Sequence, residues 1–312
     1  TAPEIVDAIC KRASHGIFGY SYVPDTWRNA FSSWWKLNHN YEIDPQWLVF
    51  ATGVVPAISS LVRKMTTIGD NVLVQTPVYN IFFNSIVNNG RHILESPLIY
   101  DGTNYHIDYA DLEEKLSDPQ TTMMLLCNPH DPIGRIWDMQ TLAQIGELCG
   151  KDHVLVVSDE IHCDLTDPGL SYIPFSSVSA HCADNSITCL SATKAFNMAG
   201  LQAAAIMVPN VQLRKQAGRG LNTDEVAEPN AFAVDATIAA FSEGRPWLLE
   251  LQNYIYANKK MVSEFLEKEL PTVHLVPSQA TDRRGLDCSR IGVSSGKLAE
   301  SIRSSTGLWL AA

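Results

Sequence analysis

The chain has 312 residues, of which 46% are hydrophobic, and its formal net charge is −11 at pH 7. A chain of this length and composition can bury a large core, with room for one large domain and a smaller one. The acidic balance argues against a nucleic-acid or anionic-membrane partner, because both bind clustered basic residues. No apolar run reaches the roughly 18 residues that are needed to span a bilayer.

The N-terminal sequence TAPEIVDAICKR predicts an amphipathic helix and lacks the layout of a signal peptide. The seven cysteines include no CxxC pair, which is typical of a reduced, intracellular protein with buried thiols. Cys127 and Cys189 lie within apolar strand patterns, and we expect them to pack in the core. The sequence therefore predicts a cytoplasmic location.

From residue 47 onward, short apolar runs alternate with helical patterns. Most runs are continuous stretches of Val, Leu, Ile, Met and Cys, as expected for strands that are covered on both faces. The predicted strands are 47–51, 71–76, 91–97, 123–129, 154–160, 186–191 and 202–209. Helical segments such as Val54–Met65 and Met139–Cys149 lie between them. This pattern predicts an α/β fold with a doubly wound, mainly parallel, seven-stranded sheet and functional groups at the carboxyl ends of its strands.

After residue 209 the strand pattern gives way to long helices. One is predicted at 229–242, and another at 246–270 begins with a proline in its first turn. Beyond residue 272 only two short apolar stretches and a helix at 296–304 remain. We therefore expect a large domain over residues 1–245, with a leading helix at 1–14, and a smaller, incomplete C-terminal α+β domain over residues 246–312.

The strongest chemical feature is the tetrapeptide Ser191-Ala192-Thr193-Lys194 at the end of a predicted strand. Its lysine follows apolar sequence and lies at the functional edge of the sheet. Desolvation lowers the pKa of a lysine, which favours the neutral amine that a Schiff base requires. The tetrapeptide alone leaves open a surface lysine that begins a loop.

A second polar cluster ends the strand VLVVSDEIH and contains Asp159, Glu160 and His162. A carboxylate at the tip of a buried strand needs a cationic partner, and a protonated pyridine nitrogen is one. Two alternatives remain open. One is an acidic helix cap, and the other is a metal site of Asp159, Glu160, His162 and Cys163. Consecutive residues point in divergent directions, which counts against the metal site.

Two further turns lie at the same edge of the predicted sheet. Thr52-Gly53-Val54-Val55-Pro56 leads from a strand into a helix, whose free backbone N–H groups suit a phosphate. Thr76-Pro77-Val78-Tyr79 follows the next strand and brings an aromatic ring to this edge. Each signal is weak alone, because such turns are common in α/β proteins and Tyr79 could equally belong to the core.

Together with Asn128-Pro129-His130-Asp131-Pro132-Ile133-Gly134, these features resemble the fold-type I enzymes that use pyridoxal 5′-phosphate (PLP). TPVY, SDEIH and SATKAFNMAGL are most similar to the cystathionine β-lyase and cystalysin-like C–S lyase branch of the class I/II aminotransferase superfamily. The resemblance runs from HGIFGY at residues 15–20 to about residue 280. It implies an aspartate-aminotransferase-like large domain with PLP as the cofactor.

The resemblance implies three catalytic residues. Lys194 carries the cofactor as a Schiff base and later moves the Cα proton of the substrate. Asp159 pairs with the pyridinium nitrogen, and Tyr79 stacks on the ring. The resemblance also places His162 and Asp131 near the 3′-oxygen of the cofactor.

The remaining implied residues surround the phosphate. Tyr20 would reach the phosphate of the neighbouring subunit, which implies a homodimer. The others bind within one subunit and are Gly53, Val54, Val55, Ser191 and Thr193.

The sequence departs from the family pattern in two places. Asp131 stands where relatives usually have asparagine, and Thr281-Asp282-Arg283-Arg284-Gly285 stands where they have an apolar strand. The resemblance also implies an active-site segment before Thr1 and, beyond TGLWLAA, a segment with the arginine that binds the substrate carboxylate.

The resemblance predicts a PLP-dependent C–S β-lyase that cleaves cystathionine- or cysteine-type amino acids to pyruvate, ammonia and a thiol. Gln202 favours this branch, because many aminotransferases have an arginine eight residues after the lysine. Two alternatives share the same cofactor residues. They are a PLP-dependent aminotransferase and a PLP-binding regulatory protein with little turnover.

Overall fold

The computed structural model describes residues 1–311 and contains one large sheet and two small ones. The strands are β1 (Leu48–Ala51), β2 (Asn71–Val74), β3 (His92–Glu95), β4 (Ile99–Tyr100), β5 (Tyr105–His106), β6 (Thr121–Cys127), β7 (Leu155–Asp159), β8 (Ser186–Leu190), β9 (Ala204–Met207), β10 (His274–Leu275) and β11 (Leu286–Asp287).

The helices are α1 (Pro3–His15), α2 (Asp25–His39), α3 (Val54–Met65), α4 (Ile81–Val87), α5 (Tyr109–Leu116), α6 (Met139–Lys151), α7 (Ala180–Asp184), α8 (Val211–Thr223), α9 (Ala233–Glu243), α10 (Arg245–Glu269) and α11 (Ser295–Thr306). None of the helices within residues 1–311 is long and apolar enough to cross a membrane.

The seven predicted strands form the large sheet, in the order β1-β9-β8-β7-β6-β2-β3. Six of them point in the same direction, whereas β9 is antiparallel to both of its neighbours, β1 and β8. The prediction of a mainly parallel, seven-stranded sheet is confirmed. Several strands end before the predicted residue, because prolines such as Pro77 and Pro129 follow closely and cannot donate a ladder hydrogen bond.

Helices cover both faces of the sheet, which explains why its strands are apolar throughout. One face packs against α3, α4 and α8. The other face packs against α5 and α6 beside the central strands, and against α1, α2 and α9 beside β1, β8 and β9. Cys127 and Cys189 are buried in the core, as predicted. This two-sided burial is the doubly wound architecture that the sequence predicts.

Three predicted helices after residue 209 are present with small shifts in their ends. The helix predicted at 229–242 begins at Ala233, because the side chain of Asn230 accepts hydrogen bonds from the N–H groups of Phe232 and Ala233. The helices predicted at 246–270 and 296–304 are α10 and α11. Residues 281–285 form a loop between β10 and β11. The division into domains at residue 245, where α10 begins, stays a prediction.

The register of the sheet brings polar residues from distant parts of the chain to one edge. Cys127 pairs with Asp159, and Asp159 pairs with Cys189, so β6, β7 and β8 end side by side. Because β9 is antiparallel, its first residues rather than its last lie at this edge. Ligands of open α/β sheets bind outside the carboxyl ends of the strands, and this edge carries the candidate site.

Candidate active site

A cavity of about 260 Å³ opens at the carboxyl edge of the sheet. The predicted site residues line it, with the exception of Ser191 and Tyr20. The lining residues are Thr52, Gly53, Val54, Val55, Pro56, Tyr79, Cys127, Asp131, Asp159, Ile161, His162, Thr193, Lys194, Ala199, Gln202 and Ala203.

Lys194 follows β8 and projects its side chain into the cavity. Its neighbours Ala192, Ala195 and Phe196 are buried in the core, whereas Lys194 is exposed. Hydrogen bonds from Phe196 N to Ala192 O (3.0 Å) and from Met198 N to Thr193 O (2.9 Å) close the turn around it. Lys194 therefore lines the cavity. The structure does not support the alternative of a surface lysine that only begins a loop.

Ser191 does not line the cavity and instead stabilises the turn of Lys194 through hydrogen bonds. Its hydroxyl is buried, donates to Ala203 O at 2.7 Å, and lies 2.8 Å from Thr193 Oγ1. These bonds tie the turn before β9 to the turn that carries Lys194. The phosphate role that the family resemblance gives to Ser191 stays a prediction.

Asp159 is the last residue of β7, and its carboxyl group is buried at the cavity. Burial raises its pKa to about 7, the charge of Asp131 adds to this effect, and the N–H of Ile161 and the charge of Lys194 oppose it. Ile161 N donates to Asp159 Oδ1 at 3.1 Å, so the side chain also caps the turn that follows the strand. The side chain thus caps a turn rather than a helix and also lines the cavity. A cationic nitrogen placed at this wall would stabilise the ionised carboxylate.

Glu160 points away from the cavity into the protein interior. Its carboxyl oxygens accept hydrogen bonds from Ser158 Oγ (2.8 Å), Tyr172 Oη (3.0 Å) and Phe175 N (2.9 Å). Burial raises its pKa to about 7. This side chain therefore organises the loops behind the site.

The structure does not bring together the four residues of the alternative metal site. Asp159 and His162 line the cavity, whereas Glu160 and Cys163 do not. Cys163 lies instead beside His39 and Asp164, where His39 Nε2 is 2.9 Å from Asp164 Oδ1. Adjacent residues of this strand end diverge, which is the reason that counted against the metal site.

Asp131 lies at a buried wall of the cavity with incomplete hydrogen bonding. Its backbone N–H donates to Cys127 Sγ at 3.3 Å, and its Oδ1 has no hydrogen-bond partner among the described residues. His162 Nε2 lies 3.9 Å from Oδ2, and Arg283 Nε lies 3.6 Å from Oδ1. Burial lowers the pKa of His162. Arg283 was not predicted as a site residue, although the unusual segment 281–285 marked its position.

Tyr79 is half-buried, with one edge in the core and its ring at the cavity. Its ring meets that of Phe82 edge-on, at a centroid distance of 6.0 Å and an angle of 82°. Burial raises the pKa of its hydroxyl. Tyr79 therefore belongs partly to the core and also lines the cavity, and its stacking on the cofactor ring stays a prediction.

The start of α3 forms the polar end of the cavity. The N–H groups of Gly53, Val54 and Val55 have no carbonyl four residues earlier within the helix, as at every helix start. A Cβ on Gly53 would lie 3.1 Å from Pro56 Cδ, so a side chain here would crowd this end. Free N–H groups at a helix start suit a phosphate group.

Tyr20 lies outside this cavity. Its side chain is 101% exposed and stands at the surface near Glu225 and Glu228. The neighbouring Ile17, Phe18 and Tyr22 are also exposed.

The model of the family "Aminotransferase class I and II" matches residues 1–281. The chain belongs to this family. Among its relatives, the cystathionine beta-lyase PatB of Bacillus subtilis is 44% identical over 300 residues, which are 96% of this chain and 78% of PatB. Protein MalY of Escherichia coli is 30% identical over 97% of this chain and 77% of its own length.

Solved structures of class I and II aminotransferase-like proteins match the fold closely. Cystalysin from Treponema denticola, which contains pyridoxal 5′-phosphate, matches with a TM-score of 0.95 and 28% identity over 98% of this chain and 78% of its own. The PLP-bound C–S lyase from Staphylococcus hominis matches with a TM-score of 0.92 and 32% identity over the same shares. The predicted family and fold are confirmed.

Proposed function

We propose that the protein is a PLP-dependent C–S β-lyase that acts on cystathionine, cysteine or a related thioether amino acid. The observation that carries the proposal is the convergence of Lys194, Asp159, Tyr79 and the start of α3 on one cavity. The 44% identity to a cystathionine beta-lyase and the fold shared with PLP-bound C–S lyases support the same chemistry.

The residues of the cavity fit the chemical groups of PLP. Lys194 supplies a primary amine for its aldehyde, and Asp159 supplies a carboxylate for its ring nitrogen. The N–H groups at the start of α3 suit its phosphate, and Tyr79 offers an aromatic face or edge for its ring. When bound, PLP supplies an electron sink that stabilises negative charge at the Cα atom of the substrate.

The proton transfers fall to Lys194 in this proposal. Of the residues that line the cavity, Lys194 and His162 carry basic nitrogens. The ring of His162 is buried beside Asp131, whereas the Lys194 side chain is exposed to the cavity. The Lys194 amine therefore takes the Cα proton and can return a proton to the leaving sulfur.

Asp159 supplies the negative charge that would balance a cationic ring nitrogen. Its pKa of about 7 places the carboxyl group near half ionisation at neutral pH in the cofactor-free site, where Lys194 is the nearby cation. A cationic ring nitrogen lowers that pKa and keeps the carboxylate ionised. The apolar side chains of Ile161 and Val54 limit the access of water to this wall.

We also propose that the functional unit is a homodimer. Ile17, Phe18, Tyr20 and Tyr22 form an exposed, largely aromatic segment, which is unusual on a surface that stays in water. A second copy of the chain would cover this segment and bring the Tyr20 hydroxyl to the cavity of its partner.

Borohydride reduction of one sample and substrate turnover by a separate, unreduced sample test the proposed function. Reduction of the PLP-loaded protein should fix the cofactor on Lys194, and Lys194→Ala should take up no reducible label. Wild-type enzyme with cysteine should consume one water and release pyruvate, ammonia and sulfide in equal amounts. A label on another lysine contradicts the site, and amino transfer to a keto acid without pyruvate release contradicts the lyase.

A further inference from the structure

Two charged side chains from distant parts of the sequence meet in the active site. They are Asp131 and Arg283, which belongs to the segment 281–285. In the structure, Arg283 Nε lies 3.6 Å from Asp131 Oδ1. Within residues 1–311, no other lysine or arginine nitrogen lies within 4.0 Å of this carboxylate. Arg283 therefore lies where its charge can balance that of Asp131.

The surroundings of Asp131 require a counter-ion. Its side chain is buried, and its Oδ1 lacks a hydrogen bond within the described part of the chain. A buried charge without a partner is strongly unfavourable. Asp159 lines the same cavity, so a second carboxylate adds to the negative charge there. His162 is a poor partner, because burial disfavours its cationic form and its Nε2 is 3.9 Å away.

The backbone before Arg283 is anchored to the loop that carries Asp131. Gln279 N and Ala280 N both donate to Gly134 O, at 2.8 and 3.0 Å. Gly134 follows Asp131 by three residues. The loop that carries the carboxylate thus also fixes the segment that carries the guanidinium.

A second anchor joins this segment to the loop of His162. Thr281 is buried, and its N–H donates to Leu165 O at 2.7 Å. Leu165 follows His162 by three residues. The side chain of Arg283 is 51% exposed, so it reaches Asp131 from the solvent side of the cavity.

We propose that Arg283 is the counter-ion of Asp131 at the wall of the cavity. The inference rests on the proposed function, since it assumes that the cavity binds the anionic cofactor PLP. A lone carboxylate at this wall repels an anion, whereas a balanced pair does not. Arg283 is a positioning residue that acts through Asp131.

The test measures PLP binding and unfolding free energy for four proteins. These are the wild type, Arg283→Gln, Asp131→Asn and the double variant. Arg283→Gln leaves the carboxylate unpaired and should weaken PLP binding on the order of tenfold. In the Asp131→Asn background, where position 131 carries no carboxylate, the same change should weaken binding less than about twofold.

Arg284→Gln is the matched control. It removes the same charge from the adjacent position, and Arg284 forms no ion pair with Asp131 in the wild type. It should bind PLP as the wild type does. Equal binding by the wild type and Arg283→Gln overturns the inference, and so does an equal loss in both backgrounds.

The unfolding measurements separate this inference from the proposed function. If the wild type takes up no PLP, the proposed function fails, but the pair is still tested by stability without cofactor. The effects of Asp131→Asn and Arg283→Gln on unfolding should then be non-additive. Additive effects overturn the pairing whatever the cofactor result.

Discussion

Asp159 and Glu160 are adjacent carboxyl groups with different surroundings. Asp159 faces the cavity, and Glu160 lies in the interior among four hydrogen-bond donors. Burial raises the pKa of both to about 7. One strand end therefore supplies both a group for the site and a group that holds the loops behind it.

The raised pKa of Asp159 predicts how stability changes with pH in the cofactor-free protein. The folded carboxyl group favours its protonated form, so its stabilising contribution is full below pH 4 and is lost as the pH rises to about 7. Asp159→Asn cannot ionise, and its stability should rise relative to the wild type by on the order of 3 kcal/mol between pH 4.5 and 8.

Urea unfolding at several pH values measures this difference. Asp7→Asn, at an exposed position on α1, should give a curve parallel to that of the wild type. Parallel curves for Asp159→Asn would show that the carboxyl group is not desolvated as the structure indicates.

The pairing of Arg283 with Asp131 illustrates what a residue pattern cannot reveal. Lys194, Asp159 and Gly53 could be predicted because each follows a recognisable buried strand. Arg283 lies in a loop whose position depends on hydrogen bonds to Gly134 and Leu165, and these belong to distant parts of the chain. Both departures were visible in the sequence, but their contact depends on tertiary structure.

At the level of elements, Gly134 is the point where the loop of Asp131 meets the loop of Arg283. Its φ of 66° is in the left-handed region, and a Cβ there would lie 2.6 Å from Ala280 O and collide with Ser278 Oγ. Gly134→Ala should lower the unfolding free energy by about 2–4 kcal/mol, because both strain and overlap oppose the side chain. It should also weaken PLP binding, since Arg283 must shift.

Gly102→Ala separates backbone strain from steric overlap as causes of the lost stability. Gly102 also has a positive φ, of 90°, but a Cβ there meets nothing within 4 Å. Its substitution should cost only about 1 kcal/mol and leave PLP binding unchanged. If both variants lose the same stability, the contact between residues 134 and 280 is not tight.

The strands of the large sheet could be predicted because they share one sequence property. Strands covered on both faces are continuous apolar runs, and such runs can be recognised without knowing the fold. The strands of two residues, β4, β5, β10 and β11, are too short to carry a pattern. By contrast, α2 was not predicted, although Trp27, Phe31, Trp34 and Trp35 are buried along one side at helical spacing.

For the whole molecule, subunit mixing tests the proposed homodimer. A heterodimer of Tyr20→Phe and Lys194→Ala subunits would contain one site with both Lys194 and Tyr20, supplied by different chains. An equal mixture of the two inactive variants should recover about a quarter of the wild-type activity, because half of the dimers are mixed and each has one intact site. Sedimentation should show a mass near twice that of the chain.

Mixing two preparations of the same variant is the control and should restore nothing. No recovery after subunit exchange has been verified would contradict the role of Tyr20, and a monomer in sedimentation would contradict the dimer itself.

The antiparallel strand β9 has a consequence for synthesis on the ribosome. Strand β1 lies at the edge of the large sheet and pairs only with β9, although it is made first of the seven. The strands β2, β3, β6, β7 and β8 can pair with one another as they emerge, but β1 must wait until residues 204–207 are made. A nascent chain that stalls before this point exposes unpaired edges on both β1 and β8, and such edges promote aggregation or chaperone capture.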